Sequence, residues 1–288
     1  MTPEPSRRDF LKTAVVAAGA VWLRSAAAAK PADALIDTNV YLSHWPLRRL
    51  PCDDTAKLVA KLRANGVTQA WAGSFDGLLH RDIAAVNARL ADECRRHGGG
   101  LLVPFGSVNP KLPDWEDDLR RCVDEHRMPG IRLHPSYHGC KLDDPDFAKL
   151  LQLAAKRGLM VQIVHIMEDR RMMHPLLQVE PPDLKPLANL VKKTPSLRLE
   201  LLNVKLPPLD LLKAGDVSVE IAMLEGVGGV GKLLAQMPAE RVLFGSHAPL
   251  FYFESAALKL KESPLNEEQL RAISCANAQR LLARKELS

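Results

Sequence analysis

The chain has 288 residues, of which 47% are hydrophobic and 25% charged, and its formal net charge at pH 7 is +5. Residues 1–29 hold four basic and two acidic side chains and so supply +2 of that charge, which leaves +3 for the rest of the chain. The remaining charges form no basic tract, which argues against nucleic acid or a membrane surface as partner. Five widely spaced cysteines argue against a disulfide framework in a domain of this size.

The first 29 residues predict an export signal. Arg7 and Arg8 precede an apolar run at 13–23 and a stretch of small residues at 25–29, the pattern of a cleavable signal peptide with a twin-arginine start. The apolar run is well short of the roughly 20 residues that span a bilayer. We therefore expect cleavage near Ala28 or Ala29 and periplasmic or otherwise exported protein. The expected partner of the precursor is the twin-arginine export machinery, with no lasting membrane association, and a permanent N-terminal anchor is the alternative.

Strand and helix signals alternate from residue 34 to the end of the chain. Eight apolar runs predict strands at 34–40, 68–73, 101–108, 130–134, 160–166, 197–202, 217–223 and 241–245. Helical periodicity is found at 55–65, 82–97, 115–126, 146–157, 183–193, 209–213, 230–237, 254–261 and 266–284. Eight such units over about 250 residues predict an α/β fold, a single-domain (β/α)8 TIM barrel over residues 30–288. An open doubly wound sheet is the alternative, although no Gly-x-Gly-x-x-Gly follows the first strand.

Two of the predicted strands, the fourth and the fifth, carry a histidine at their carboxyl ends, His134 and His165. In a barrel of parallel strands the active site gathers at these ends. One such histidine is commonly a loop or core residue, but two at equivalent positions favour function. Arg132 is expected to point into the mouth of the barrel and to bind a substrate carboxylate. The alternative for Arg132 is a salt bridge to Glu225 or Glu220.

Several stretches together resemble the amidohydrolase-related family of metal-dependent TIM barrels. They lie at residues 36–41, 130–137, 142–147, 161–165, 241–249 and 273–282, so the resemblance covers nearly the whole chain after the predicted signal. The resemblance implies a hydrolase with Asp-x-His-x-His on the first strand, a histidine ending the fifth and often the sixth, and Gly-Ser-Asp-x-Pro at the eighth. In that family the histidines hold a divalent metal, and the aspartate orients or deprotonates the attacking water.

This sequence departs from the family pattern at most of these positions. Asn39 and Tyr41 replace the paired histidines, Asn203 stands at the sixth strand and His247 replaces the aspartate, so only His165 matches. The replacements keep polar groups that can bind substrate at the mouth of the barrel. Tyr41 is a candidate donor to a developing oxyanion, or only packs.

His165 and His247 leave three roles open. They could bind one metal ion, with His134 or a carboxylate completing the site. They could also act as general acid and base, or only form hydrogen bonds to substrate or backbone. Because an amide and a phenol are poor zinc ligands, Asn39 and Tyr41 predict no binuclear centre. The sequence favours a metal-free site over a single divalent ion such as zinc on His165 and His247.

The loop after the first strand contains His44 and Trp45, which are expected to form a rim that stacks on a flat or sugar-like substrate. Together these features predict an exported amidohydrolase-like enzyme that hydrolyses or decarboxylates a small organic acid, lactone or ester. The alternative is a catalytically silent barrel that binds a small carboxylate or carbohydrate. A small molecule is the expected partner of the barrel in both cases.

Overall fold

The computed structural model describes residues 34–283, which form a barrel of eight parallel strands in chain order. The strands β1 to β8 span Leu35–Leu42, Val67–Ser74, Leu102–Ser107, Gly130–Leu133, Met160–Val164, Arg198–Leu202, Val217–Glu220 and Val242–Leu243. The barrel closes where the backbone N–H groups of Thr38 and Tyr41 on β1 donate to the carbonyls of Phe244 and Ala248, in the segment that follows β8, both at 2.9 Å. The predicted (β/α)8 barrel is therefore confirmed.

Helices follow the strands around the outside of the barrel. In chain order, α1 to α11 span Thr55–Ala64, Ile83–Gly98, Trp115–Asp124, Pro135–His138, Pro145–Lys156, Lys185–Lys193, Leu209–Ala214, Gly229–Leu234, Phe253–Glu262, Glu267–Arg271 and Asn277–Leu282. The short helix α4 was not predicted, and the final predicted helix is interrupted by a π-helical turn at Ala272–Ala276. No helix within residues 34–283 is long and apolar enough to cross a membrane. The predicted signal peptide lies outside the described residues.

Helix α5 illustrates how the sequence dictates these elements. Pro145 occupies its first turn, where the missing N–H of proline has no intrahelical partner to lose. Its buried residues recur at helical spacing and are Phe147, Leu150, Leu151, Ala154 and Ala155. Burial of each large side chain among them contributes about 1.5–3 kcal/mol. Gly158, with φ at 65°, then turns the chain into β5.

The interior of the barrel contains a layer of polar side chains. Its members share one register across β3 to β7 and are Ser107, Arg132, Gln162, Glu200 and Ser218. All five are buried. Arg132 Nε donates to Gln162 Oε1 at 2.8 Å, and Gln162 Nε2 donates to Glu200 Oε2 at 2.7 Å. The layer lies in the interior and supports the residues at the carboxyl ends of the strands.

Candidate active site

Tyr41 from β1 and His134 at the end of β4 form a buried pair. Tyr41 Oη lies 3.0 Å from His134 Nε2, and the phenol ring stacks on Phe75 with 4.7 Å between centroids. Burial raises the pKa of Tyr41 to about 12. Burial also lowers the pKa of His134 well below its ordinary value, and the nearby positive groups add to the effect. The free pair is therefore neutral at pH 7, and Tyr41 fixes the orientation of the His134 ring.

A small cavity at the carboxyl ends of β4 and β5 adjoins this pair. Its lining residues are His134, Ser136, Tyr137, Val164, His165, Ile166, Met167, Met173, Val179 and Pro181. The Nδ1 atoms of His134 and His165 have no hydrogen-bond partner among residues 34–283. Burial lowers the pKa of His165, so both imidazoles are neutral near pH 7. Two uncharged imidazole rings thus face one cavity with a nitrogen atom free to exchange a proton or a hydrogen bond.

The cavity is small because the long loop after β5 covers it. Its volume is about 10 Å³, which is about the space that one water molecule needs. Met173, Val179 and Pro181 come from this loop. A substrate larger than water therefore requires the loop to move outwards.

A second group of polar residues connects the ends of β1, β6, β7 and β8. Asn39 Nδ2 donates to Asn203 Oδ1 at 2.8 Å, and the backbone N–H of Asn203 donates to Glu220 Oε1 at 2.6 Å. His247 Nε2 donates to the carbonyl of Met167 at 2.7 Å and lies 3.3 Å from Asn203 Nδ2. Asn203 and His247 both have φ at 58°, a left-handed conformation that residues other than glycine rarely adopt. Three predicted site residues are thus brought together in one buried network.

Burial controls the protonation of this network. It lowers the pKa of His247 to about 3 and raises the pKa of Glu220 to about 7. His247 is consequently neutral at pH 7, with its Nε2 proton committed to a backbone carbonyl. Its ring meets Tyr41 edge to face at 5.5 Å between centroids, which links the network to the Tyr41–His134 pair.

The expectation that Arg132 reaches the mouth of the barrel is wrong. Its side chain is 0% exposed and runs inwards, where Nη1 donates to the carbonyl of Val40 at 2.7 Å. Its predicted alternative partners are engaged elsewhere, because Glu225 pairs with Lys205 at 2.8 Å and Glu220 accepts backbone N–H groups. Arg132 therefore cannot form a bidentate pair with a substrate carboxylate in this arrangement.

The predicted aromatic rim is also wrong. Trp45 is 2% exposed and packs edge to face on Phe75 at 5.2 Å between centroids, so it is part of the apolar wall. His44 is exposed, and it lines a separate surface groove with Asp53 and Glu93. The two neighbours point to different parts of the molecule and cannot stack together on one substrate.

Sequence reasoning missed four polar residues around the site. Ser136 and Tyr137 line the cavity directly after His134. Glu168 is 2% exposed, with one oxygen paired to Arg48 at 2.8 Å and the other without a hydrogen-bond partner among residues 34–283. Glu220 was considered only as a salt-bridge partner, although it ends β7. Their signal was the same as that of the histidines, a polar residue at or just after the end of an apolar strand.

A family model described as amidohydrolase matches residues 40–284. The chain belongs to the amidohydrolase family. No curated protein matches its sequence.

Solved structures share the fold of this chain at low identity. A 2,6-dihydroxybenzoate decarboxylase from Rhizobium is 16% identical, covers 85% of this chain and 98% of its own, and has a TM-score of 0.67. A 5-carboxyvanillate decarboxylase variant from Novosphingobium aromaticivorans, with manganese and 3-methoxy-4-hydroxy-5-nitrobenzoic acid, is 15% identical and has a TM-score of 0.69. The match covers 87% of this chain and 97% of that chain. A dihydroxybenzoic acid decarboxylase from Polaromonas, with manganese and 2-nitroresorcinol, is 14% identical and has a TM-score of 0.66. The match covers 87% of this chain and 97% of that chain. At these identities the likeness shows the fold.

The donor groups of this chain do not fit a divalent ion. Within residues 34–283, no group of three or more His, Cys, Asp or Glu side chains is placed to hold a metal. Of the predicted ligand pair, His247 binds a backbone carbonyl through Nε2, while His165 faces the cavity. The first-strand positions hold Asn39 and Tyr41 in place of imidazoles; a neutral amide is a poor zinc ligand, and the phenol would have to lose a proton whose pKa burial raises to about 12.

Proposed function

We propose that this chain decarboxylates a small aromatic carboxylic acid at the mouth of the barrel. The observation that carries the proposal is the pair of unpartnered imidazole nitrogens, Nδ1 of His134 and Nδ1 of His165, at one small cavity. A buried polar atom without a partner is rare in a folded protein, and two at a strand-end cavity suit a ligand that supplies the missing hydrogen bonds.

The apolar wall of the site favours a flat, aromatic substrate. Tyr41, Trp45 and Phe75 form a packed aromatic cluster beside the cavity, and Tyr137 lines the cavity itself. Aromatic rings prefer stacked or edge-to-face contacts with one another, worth about 0.5–1.5 kcal/mol beyond the area that they bury. The three decarboxylases with this fold that are described above act on substituted benzoic acids by name, which agrees with this choice.

The chemistry of the strand ends favours decarboxylation over hydrolysis. Hydrolysis needs an activated water, and the family places an aspartate at the eighth strand for that purpose. Here His247 occupies that position, and its Nε2 proton is held by the carbonyl of Met167. Decarboxylation needs no attacking water. It needs a proton donor for the carbon that loses CO2, and a cavity of low polarity that favours loss of the carboxylate charge.

His134 is the group best placed to donate that proton. A carboxylate that enters the cavity favours the charged form of a neighbouring imidazole, so substrate binding draws a proton from solvent onto His134. Nε2–H then donates to Tyr41 Oη, and Nδ1–H faces the substrate. The bond between the ring carbon and the carboxylate breaks, its electron pair takes the proton from Nδ1, and CO2 leaves. His165 binds and orients the substrate from the other side of the cavity.

Export of the precursor by the twin-arginine route is part of the proposal. It is supported by Arg7 and Arg8 ahead of a short apolar run and a stretch of small residues. An exported decarboxylase would meet its acid outside the cytoplasm.

The test is a screen of carboxyl-labelled benzoic acids bearing hydroxyl or methoxy groups, beside the matched methyl esters, amides and aromatic lactones. Labelled CO2 and hydrolysis products are measured separately, and melting temperatures are recorded with each compound. His134→Gln removes the proton donor. His97→Gln is the matched control, because His97 lies on α2 and its side chain is 43% exposed.

We expect the unmodified protein and His97→Gln to release CO2 from at least one acid, and His134→Gln to release it at least about 10²-fold more slowly. Hydrolysis of an ester, amide or lactone without CO2 release would contradict the proposal and favour a hydrolase. A rise in melting temperature without any turnover would instead identify a catalytically silent binding barrel.

A further inference from the structure

We propose that the buried guanidinium of Arg132 supplies the positive charge that attracts a substrate carboxylate to this site, in the role that a divalent ion holds in metal-dependent relatives. The inference rests on the proposed action on a carboxylic acid and identifies the group that provides the attraction. It also replaces the direct pairing that the sequence predicted, because Arg132 acts from beneath the site without touching the substrate.

Arg132 forms hydrogen bonds with neutral groups. Within residues 34–283 its donors reach Gln162 Oε1 at 2.8 Å and the carbonyls of Val40, Thr38 and Trp71 at 2.7, 3.1 and 2.9 Å. These oxygens solvate the guanidinium and fix its plane, but they carry no formal charge. Since an arginine stays protonated in proteins, the interior of the barrel contains a fixed cation that no direct carboxylate bond neutralises.

The carboxylate that faces this cation across the layer compensates it weakly. Glu200 accepts hydrogen bonds from Thr38 Oγ1 and from Gln162 Nε2, so Gln162 separates it from the guanidinium. Burial raises the pKa of Glu200 to about 8, and Glu220 also contributes to this rise. Asp37 is another buried carboxyl near this cation; burial raises its pKa to about 6, and Arg132 opposes that rise. Asp37 accepts hydrogen bonds from the backbone N–H groups of Asn39 and Ser246, so it offsets part of the charge without a direct bond to the guanidinium.

One aromatic ring separates this cation from the candidate site. Arg132 Cζ lies 4.6 Å from the centroid of the Tyr41 ring, and Tyr41 Oη lies 3.0 Å from His134 Nε2. The interior between them excludes water, so the field of the guanidinium is screened much less than at a surface. An anion beside His134 is consequently attracted, and a neutral ligand of the same shape is not.

The sequence provides space for the guanidinium on β2. Gly73 has no side chain, and a Cβ at this position would lie 2.9 Å from both Cδ and Nη1 of Arg132. Any other residue at position 73 would force the arginine to move. Gly73 and Arg132 are thus a matched pair, and Gly73→Ala offers a way to displace the charge without removing it.

The test compares the binding of benzoate with that of benzamide, a neutral molecule of nearly the same shape. Affinities are measured by calorimetry and ligand NMR on protein stripped with a chelator, and again after addition of manganese. The variants are Arg132→Gln, Arg132→Lys and Gly73→Ala. Arg120→Gln is the control, because Arg120 lies on the surface of α3 with its side chain 41% exposed. Circular dichroism checks the fold of each variant.

We expect stripped protein to bind benzoate more tightly than benzamide, and manganese to leave that preference unchanged. A unit charge at about twice the 4.6 Å between Arg132 Cζ and the Tyr41 centroid changes the affinity for an anion about twentyfold at an effective dielectric constant of about 20. Arg132→Gln should therefore weaken benzoate binding about twentyfold and leave benzamide binding unchanged. Arg132→Lys should retain most of the preference, Gly73→Ala should reduce it, and Arg120→Gln should retain all of it.

Equal binding of benzoate and benzamide by the unmodified protein, or binding of neither, would overturn the inference. So would an equal loss of both ligands in a folded Arg132→Gln variant. If that variant does not fold, the unmodified protein stripped with a chelator provides the test. Benzoate binding that appears only after manganese is added also overturns the inference. A benzoate preference without CO2 release from any acid contradicts decarboxylation alone, and CO2 release without the preference contradicts the role of Arg132 alone.

Discussion

His165 and His247 were predicted to act as a pair, but we expect the same replacement to change the stability of the protein differently at the two positions. His247 is 0% exposed, donates to the carbonyl of Met167 at 2.7 Å, and meets Tyr41 and Phe251 edge to face at 5.5 and 4.9 Å. His165 is partly exposed, and its Nδ1 has no hydrogen-bond partner among residues 34–283. Leucine at either position keeps much of the volume and removes the polar contacts.

The expected magnitudes follow from these contacts. His247→Leu leaves a buried carbonyl without its donor, at a cost of about 1–3 kcal/mol, and weakens two aromatic contacts worth about 0.5–1.5 kcal/mol each. Packing by leucine offsets part of this loss, so we expect the free energy of unfolding to fall by about 2–4 kcal/mol. His165→Leu should change it by less than about 1 kcal/mol, because it breaks no described hydrogen bond.

Urea unfolding of the unmodified protein and both variants, followed by fluorescence and circular dichroism, measures these differences. The slopes with denaturant must agree among the three proteins for the comparison to hold. Equal losses of stability in the two variants, or a larger loss in His165→Leu, would refute the assignment of His247 to a buried network and His165 to the cavity wall.

Three further predictions concern packing, pH and export. Gly130→Ala should destabilise the barrel by about 1–3 kcal/mol in urea unfolding, because the new Cβ would lie 2.6 Å from the carbonyl of Met160, whereas Gly231→Ala, with open space around it, should be nearly neutral. Burial raises the pKa of Glu220 from 4.5 to about 7, so the folded state binds a proton more tightly than the unfolded state. The resulting contribution to the free energy of unfolding is fully present at low pH and is lost as the pH rises from about 4.5 to 7. Unfolding measured over this range should show a decline of about 3 kcal/mol that Glu220→Gln lacks, and identical pH dependence of the two proteins would contradict the shift. Replacement of Arg7 and Arg8 by lysine should retain the precursor inside the cell, as seen by fractionation, and normal export of that variant would show that the signal was misread.

The sequence was sufficient to predict the barrel because strands and helices are indicated by residues that are close together in the chain. Apolar runs, helical periodicity and end signals such as Pro145 are properties of neighbouring residues, and their alternation permits few topologies. The positions of His134, His165 and His247 at strand ends were predicted from the apolar runs together with the family resemblance. Local signals and the resemblance thus place these residues at the strand ends, and their role in a functional site stays a prediction.

The contacts within the site could not be predicted in the same way. Arg132 turns inwards because Gly73, on a different strand, leaves space for it. The residues next to Arg132 in the sequence give no sign of this space. Trp45 packs inwards because Phe75 lies beside it in the fold. The hydrogen bond that commits His247 to Met167 likewise joins residues that are distant in the chain. Such pairings depend on the closed barrel and appear only after it is assembled.

The proton donated by His134 is the central claim, and it is tested most directly by turnover in heavy water of an acid found in the screen. We predict a product with one deuterium at the carbon that lost CO2, and a kcat that falls about 10²–10⁴-fold in His134→Gln, as is usual when a general acid is removed. KM should change much less than kcat, because the charge that attracts the carboxylate is retained. A His134→Gln variant that decarboxylates at the rate of the unmodified protein would contradict the account, as would a product formed without deuterium at that carbon.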